Sequence, residues 1–365
     1  MLVFGTRPEA VKMCPIVHEL RKRNKIETVV CTTGQHDEMM RQVLDAFQIE
    51  VDHNLEIMKP GQTLFDITEH VMKGMKRLLD MEKPQIVLVH GDTTTAYAAA
   101  LSSFYMQIPI AHVEAGLRTY DMYSPYPEEF NRQVVDLLSD LYFAPTEMAK
   151  QNLLKEGKEK RRIFVTGNTV IDALKTTVVK NYTHEYLAWV GMRKLILMTV
   201  HRRESIGEPM YHIFRAIRRI LEEYEDVTVL YPIHKNPAVR EIAKEIFKGC
   251  NSIHIVEPLD VLDFHNFMNK SYLIITDSGG IQEEAPSLGK PVLVVRDKTE
   301  RPEGVEAGTL KLVGTDEQNV YLNIKALLDD TVQYQQMVKV SNPYGDGTAS
   351  EQITNILEQK LWEKW

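Results

Sequence analysis

The chain has 365 residues, 44% hydrophobic and 26% charged, with 51 acidic against 43 basic side chains and a net charge of −8. That length is more than one core comfortably holds, so two domains are expected in an otherwise ordinary globular composition. The acidic balance without a dense Lys/Arg tract argues against nucleic acid, and no apolar run approaches a membrane span. Cys14, Cys31 and Cys250 are odd in number, far apart and without metal-ligand spacing, which suits a reducing compartment. The expectation is a cytoplasmic protein with no signal peptide, no membrane partner and no bound metal.

The first strand, 2–5, runs into Gly5-Thr6-Arg7-Pro8-Glu9 and a helical pattern over 9–23. Pro8 suits an early helical position. Arg7 offers a fork for phosphate oxygens and Lys12 a point charge, although a solvated basic face is the alternative for Lys12. Strands follow at 27–33, 85–90, 109–113, 141–144 and 162–166, with helical patterns such as 63–80 and 128–139 between them. Three carboxylates sit at the ends of these connections: Asp92 after His90-Gly91, Glu114 after His112-Val113, and Glu128, with Glu129, after Ser124-Pro125-Tyr126-Pro127. Clustered carboxylates raise one another's pKa and so provide acid/base partners near neutral pH; the alternative for Asp92 and Glu128 is helix capping.

The least periodic stretch is 167–193, and a hinge near Gly167–Thr169 divides an N-terminal domain, 1–168, from a second, 169–348. Strands at 194–200, 227–232, 252–256, 272–276, 291–295 and 310–313 alternate there with helices at 208–223, 237–247 and 316–329. The break Ser341–Gly347 precedes a final helix, 349–364, that rejoins the first domain. His201, at a strand end beside Arg202 and Arg203, can titrate or bind phosphate; His234 is a weaker version of the same placement. The strand 272–276 feeds Asp277-Ser278-Gly279-Gly280 and a helix reading to about Leu288. Exposed N–H groups at a helix start, with two glycines allowing close approach, make a phosphate seat, and Glu284 lies within reach of a ribose diol; an ordinary glycine turn is the alternative. Arg296–Gly304 is a charged loop.

Regular β-α alternation with near-continuous apolar strands specifies α/β architecture: two doubly wound parallel sheets, each with helices on both faces. In such folds ligands bind beyond the carboxyl ends of the strands, which makes the cleft between the domains the default site. No Gly-x-Gly-x-x-Gly and no Gly-x4-Gly-Lys-Ser/Thr occurs, so neither a bound dinucleotide nor a P-loop is expected.

Together, FGTRPEAVK at 4–12, HGDTTT at 90–95, HVEAGLRT at 112–119, SPYPEEFNR at 124–132, HRRES at 201–205, TDSGGIQEEAPSLGKPVLV at 276–294 and TERPEGVEAGT at 299–309 resemble the bacterial non-hydrolysing UDP-N-acetylglucosamine 2-epimerase family over nearly the whole chain. The resemblance implies a GT-B fold of two Rossmann-like domains, a homodimer, no cofactor, and reversible conversion of UDP-GlcNAc to UDP-ManNAc for cell-surface polysaccharide. It implies that Ser278, Gly279 and Gly280 hold the diphosphate with Arg7 and His201, that Glu284 takes the ribose hydroxyls, and that Phe264 with the 257–260 stretch shapes the uracil pocket. Arg301 and Lys12 complete the nucleotide site. Asp92, Glu114 and Glu128 are the acid/base candidates, with donor and acceptor left unassigned. Leu259 stands where some relatives present Gln, so the uracil contact there is expected from backbone. Some relatives bind a second UDP-GlcNAc as an activator; Gln35, His36 and Arg202 keep that open here, although Glu38 and Gly61 depart from the pattern. The rival readings are a hydrolysing epimerase releasing free ManNAc, a glycosyltransferase, and a UDP-sugar-binding regulator without turnover.

Overall fold

A computed structural model describes the chain except residues 24, 35, 36, 60, 300 and 363–365. Its described residues form two compact units, Met1–Thr176 with Tyr344–Trp365, and Thr177–Pro343.

The first unit is built on a seven-stranded parallel sheet. Its strands are β1 (Leu2–Phe4), β2 (Val30–Thr32), β3 (His53–Asn54), β4 (Val87–His90), β5 (Ile110–Val113), β6 (Leu141–Ala144) and β7 (Ile163–Val165), in the order β3-β2-β1-β4-β5-β6-β7. The two-residue edge strand β3 was not expected, because His53-Asn54 carries no apolar run; its backbone pairing with Cys31 and Thr32 creates it. The helix Leu64–Glu82 begins at a capping box, in which Thr63 accepts from Asp66 N–H and Asp66 accepts from Thr63 N–H. Within the stretch expected to be irregular, Thr169–Thr177 and Glu185–Val190 are helical. Asp172 accepts from the backbone of Ala349 (3.2 Å) and Ser350 (2.8 Å), which starts the last helix, Ala349–Trp362. That helix lies on Arg7–Arg23, with Lys25 and Glu358 paired at 3.1 Å.

The second unit has a six-stranded parallel sheet of β8 (Lys194–Thr199), β9 (Val227–Pro232), β10 (Ile253–Val256), β11 (Leu273–Thr276), β12 (Val292–Val294) and β13 (Leu310–Leu312), ordered β10-β9-β8-β11-β12-β13. Alternate residues feed two cores. Leu195, Leu197, Ile274 and Val292 pack on one face, Ile196, Met198, Ile275 and Leu293 on the other. Burial on both faces is why these strands read as continuous apolar runs instead of alternating ones. Among the described residues, no helix is long and apolar enough to cross a membrane.

Candidate active site

In each sheet the strand order reverses beside the first strand, at β1/β4 and at β8/β11, and most candidate residues follow those four strands and β5, with Leu259 and Phe264 after β10 and Arg301 after β12. After β1, Arg7 is exposed at the start of its helix. Glu9 is buried; its Oε2 accepts from the backbone of Gly5 (3.1 Å) and Thr6 (2.8 Å) and from the Thr6 hydroxyl (2.8 Å), while Oε1 accepts from the Thr93 hydroxyl (2.7 Å). Burial pushes this carboxyl up, against all of those donors. Glu9 therefore ties the β1 turn to the β4 turn. Sequence reading assigned it no role, although Thr6-x-x-Glu9 is a capping-box spacing.

After β4, Thr93 caps the helix Thr94–Tyr105, accepting from Ala96 N–H at 3.0 Å. The capping position offered as the alternative for Asp92 is thus filled by its neighbour, and the Asp92 carboxylate instead pairs with Arg132. Asn131 donates to the Asp92 carbonyl at 2.9 Å. These two bonds pin the helix Glu128–Leu138 to Asp92 and bring half-buried Glu128, one turn before Arg132, to the same edge. Glu129 separates from Glu128 in role: it is fully buried and accepts from Thr119 N–H (3.0 Å), Tyr120 N–H (3.0 Å) and Gln133 (2.7 Å). Burial opposes ionisation there, but those donors and Arg132 hold the carboxyl below its usual range.

Glu114 follows β5 with φ +67°, in the left-handed region that is uncommon for a residue with a side chain and recurs at functional sites. Its Oε2 accepts from Lys12 and from Asn168 (2.7 Å), and His90 Nε2 lies 3.7 Å away. A Cβ placed on Gly91 would sit 3.7 Å from Oε1, so the carboxylate lies over the residue preceding Asp92. Burial works to raise this carboxyl, yet Lys12 and His90 outweigh it and keep it well below the ordinary range. Here the expectation that clustered carboxylates raise one another fails for Glu114, because Lys12 pairs with it directly.

A buried network lies behind both acids. His112 Nδ1 is 2.6 Å from Asp136 Oδ1, and Nε2 is 2.8 Å from the Gly91 carbonyl. Asp136 Oδ2 accepts from Gly116 N–H (3.1 Å) and pairs with Arg118 (2.8 Å), whose fork also grips Glu156 at 2.7 Å twice. Burial disfavours the Asp136 charge, and His112 and Arg118 restore it, holding the carboxyl below its usual range. The network fixes the backbone on either side of Asp92 and Glu114. Sequence reading missed Asp136, since only the fold brings it to His112.

In the second unit, Ser278 precedes the short helix Gly279–Glu284, which tightens to a 3₁₀ turn over Ala285–Leu288 where Pro286 removes a donor. Ser278 makes no side-chain cap bond, which leaves its hydroxyl outside the helix pattern. Arg301 donates to Glu283 at 2.9 Å and lies across Gly279, where a Cβ would come within 3.2 Å of its guanidinium carbon. Buried Asp277 accepts from the backbone of His201 and Arg202, both at 2.7 Å, and so joins the β11 turn to the β8 turn. The His201 ring stacks on His234 (centroids 5.3 Å apart). Burial lowers its pKa, and His234 and Arg202 act in the same direction against Asp277. Leu259 and Phe264 are half-buried against the core on one face of the sheet. The structure thus gathers Ser278, Gly279, Gly280, Glu284 and Arg301 about one turn. Gln35 and His36 lie outside the described residues.

Two parallel sheets of Rossmann order, each with polar and charged groups collected where its strand order reverses, place the chain in the GT-B class of α/β proteins. The family model described as UDP-N-acetylglucosamine 2-epimerase matches residues 18–358, and the chain belongs to that family. It is 59% identical over 357 residues to the UDP-N-acetylglucosamine 2-epimerase of Bacillus subtilis, covering 98% of this chain and 94% of that one. Among solved structures it is similar to the Neisseria meningitidis UDP-GlcNAc 2-epimerase bound to UDP-GlcNAc (46% identity, TM-score 0.89, covering 98% and 99% of the two chains). It is also similar to the Methanocaldococcus jannaschii enzyme in complex with UDP-GlcNAc and UDP (35% identity, TM-score 0.80, 98% and 99% covered).

Proposed function

We propose that this protein is a non-hydrolysing epimerase that interconverts UDP-GlcNAc and UDP-ManNAc, inverting C2 without a redox cofactor. The observation that carries the reading is Glu114: a buried carboxylate kept ionised by Lys12, laid over Gly91 beside Asp92. The C2 hydrogen of the sugar is not next to a carbonyl, so it needs activation. Breaking the C1–O bond with departure of UDP builds positive charge at C1 and acidifies C2–H; a carboxylate takes that proton and 2-acetamidoglucal forms. UDP then re-adds at C1 while a second acid returns a proton to the opposite face of C2. Asp92, Glu114 and Glu128 are the groups for those transfers.

The second unit takes UDP in this reading. Ser278, Gly279 and Gly280 cradle the diphosphate, Arg301 neutralises it as a leaving group while His201 hydrogen-bonds it, Glu284 binds the ribose, and Leu259 and Phe264 border the uracil. Lys12 acts through Glu114. The N-terminal unit with the returning C-terminal helix carries the proton chemistry. The protein works in the cytoplasm, and exposed apolar side chains such as Phe65, Phe104, Tyr105 and Leu137 on the first unit favour a homodimer. The product supplies ManNAc for surface polysaccharide.

The test is product analysis by NMR with UDP-GlcNAc and no added cofactor. A mixture of two UDP-HexNAc epimers supports the proposal. Free ManNAc with UDP as the main products would establish hydrolysis instead, and tight binding without turnover would make the chain a sensor.

A further inference from the structure

Behind Glu284 in the second unit stands a histidine that neither motif nor composition singled out. His265, in the helix Val261–Lys270, is 3% exposed. Its Nδ1 is 2.7 Å from the Thr177 hydroxyl, and its Nε2 is 3.4 Å from Glu284 Oε2. An ionised carboxylate can only accept, a hydroxyl can do either, and a neutral imidazole has one nitrogen of each kind. The arrangement that suits the carboxylate has Nε2–H directed at Glu284, with Nδ1 against the Thr177 hydroxyl. The adjacent Asn266 locks the segment that supplies the hydroxyl: its Nδ2 donates to the Thr177 carbonyl (2.8 Å) and its Oδ1 accepts from Val179 N–H (2.8 Å). The other Glu284 oxygen faces the glycine turn, where a Cβ on Gly280 would lie 3.4 Å from Oε1.

We propose that His265 is a positioning residue that sets the site's preference for a ribose: it holds Oε2 of Glu284 from behind, so that Oε1 is presented to a vicinal diol beside the Ser278–Gly280 turn. The proposal rests on the reading that this turn seats UDP. A long flexible carboxylate loses rotamer freedom when it binds a diol; one already held by a buried donor loses less, so the anchoring appears as selectivity for the hydroxyls.

The test is calorimetric titration of the full chain with UDP and with 2′,3′-dideoxy-UDP. The wild-type protein is expected to prefer UDP by about 10- to 100-fold, the range for hydrogen bonds to a charged group. In His265→Phe the preference falls to about threefold or less, through weaker UDP binding with dideoxy-UDP little changed; simple loss of packing would weaken both alike. His265→Gln, which keeps an N–H near the Nε2 position, retains most of the preference. In a Glu284→Ala background, His265→Phe has no further effect on the ratio. Should His265→Phe fail to fold, Thr177→Val reads the same ratio with the ring intact, and a severalfold drop is expected. A folded His265→Phe, or a Thr177→Val, with the full wild-type preference overturns the proposal. A wild-type protein that binds UDP with no preference overturns the ribose assignment of Glu284 itself, and the proposal falls with it.

Discussion

Replacing Lys12 by methionine keeps the aliphatic stem and removes the ammonium from Glu114. The side chains of the pair are 13% and 11% exposed, so water cannot take over the lost partner. Breaking a buried pair by removing one partner costs about 3–5 kcal/mol. Asn168 at 2.7 Å and His90 at 3.7 Å still face the carboxylate. They place the expected loss near the lower end, about 3 kcal/mol, or a fall in Tm of roughly 6–12 °C for a domain of this size. The pH dependence has a definite sign. In the wild-type protein the folded state holds Glu114 below its ordinary 4.5, so its contribution to stability is complete above that value and is lost as pH falls through the depressed one. Without Lys12, burial is the largest influence and raises the carboxyl, so the charged form is penalised near neutrality and protonation on acidification relieves the penalty. Urea unfolding followed by far-UV circular dichroism, at about pH 7.5 and about pH 5, should therefore show a gap between wild type and Lys12→Met that narrows at the lower pH. A gap under about 1 kcal/mol that does not change with pH would refute the buried pair, since that is the behaviour of an exposed one.

Asp92→Asn, Glu114→Gln and Glu128→Gln should each reduce kcat by about 100- to 10,000-fold while UDP still binds by calorimetry; near-normal turnover in all three refutes the acid/base assignment. Asp136→Asn removes the anion between His112 and Arg118, both buried, and should cost about 3–5 kcal/mol in thermal unfolding. Gly279→Ala puts a methyl 3.2 Å from the Arg301 guanidinium carbon, and calorimetry should show UDP affinity falling about tenfold, with Tm little changed.

The sheets were legible because each strand buried on both faces is a compact apolar run, and because parallel pairing demands the intervening helices. β3 was not, since a two-residue polar edge strand exists only through its neighbour. Asp92 and Glu114 in the first unit, and Ser278 and Glu284 in the second, were picked out by their place after a strand, and the fold brings each pair together within its own unit. What one strand end does to another could not be found that way. The capture of Lys12 by Glu114 links residues 102 apart, and that of Thr93 by Glu9 residues 84 apart. His265 was hidden for the same reason: on its own helix it reads as a core residue, and only Thr177 and Glu284, from elsewhere in the chain, give its two nitrogens a direction. The sign of the Glu114 shift was likewise out of reach, because it depends on whether burial, a neighbouring acid or a neighbouring cation is nearest.

The central claim is that UDP departs before C2 inverts, so that the hydrogen there exchanges with solvent. Turnover of UDP-GlcNAc in deuterated water, followed at C2 by proton NMR without added nicotinamide, measures this directly. Both epimers should acquire deuterium at C2 as they interconvert. Epimers that appear with the original protium retained at C2 would contradict elimination and point to transfer of that hydrogen within the active site.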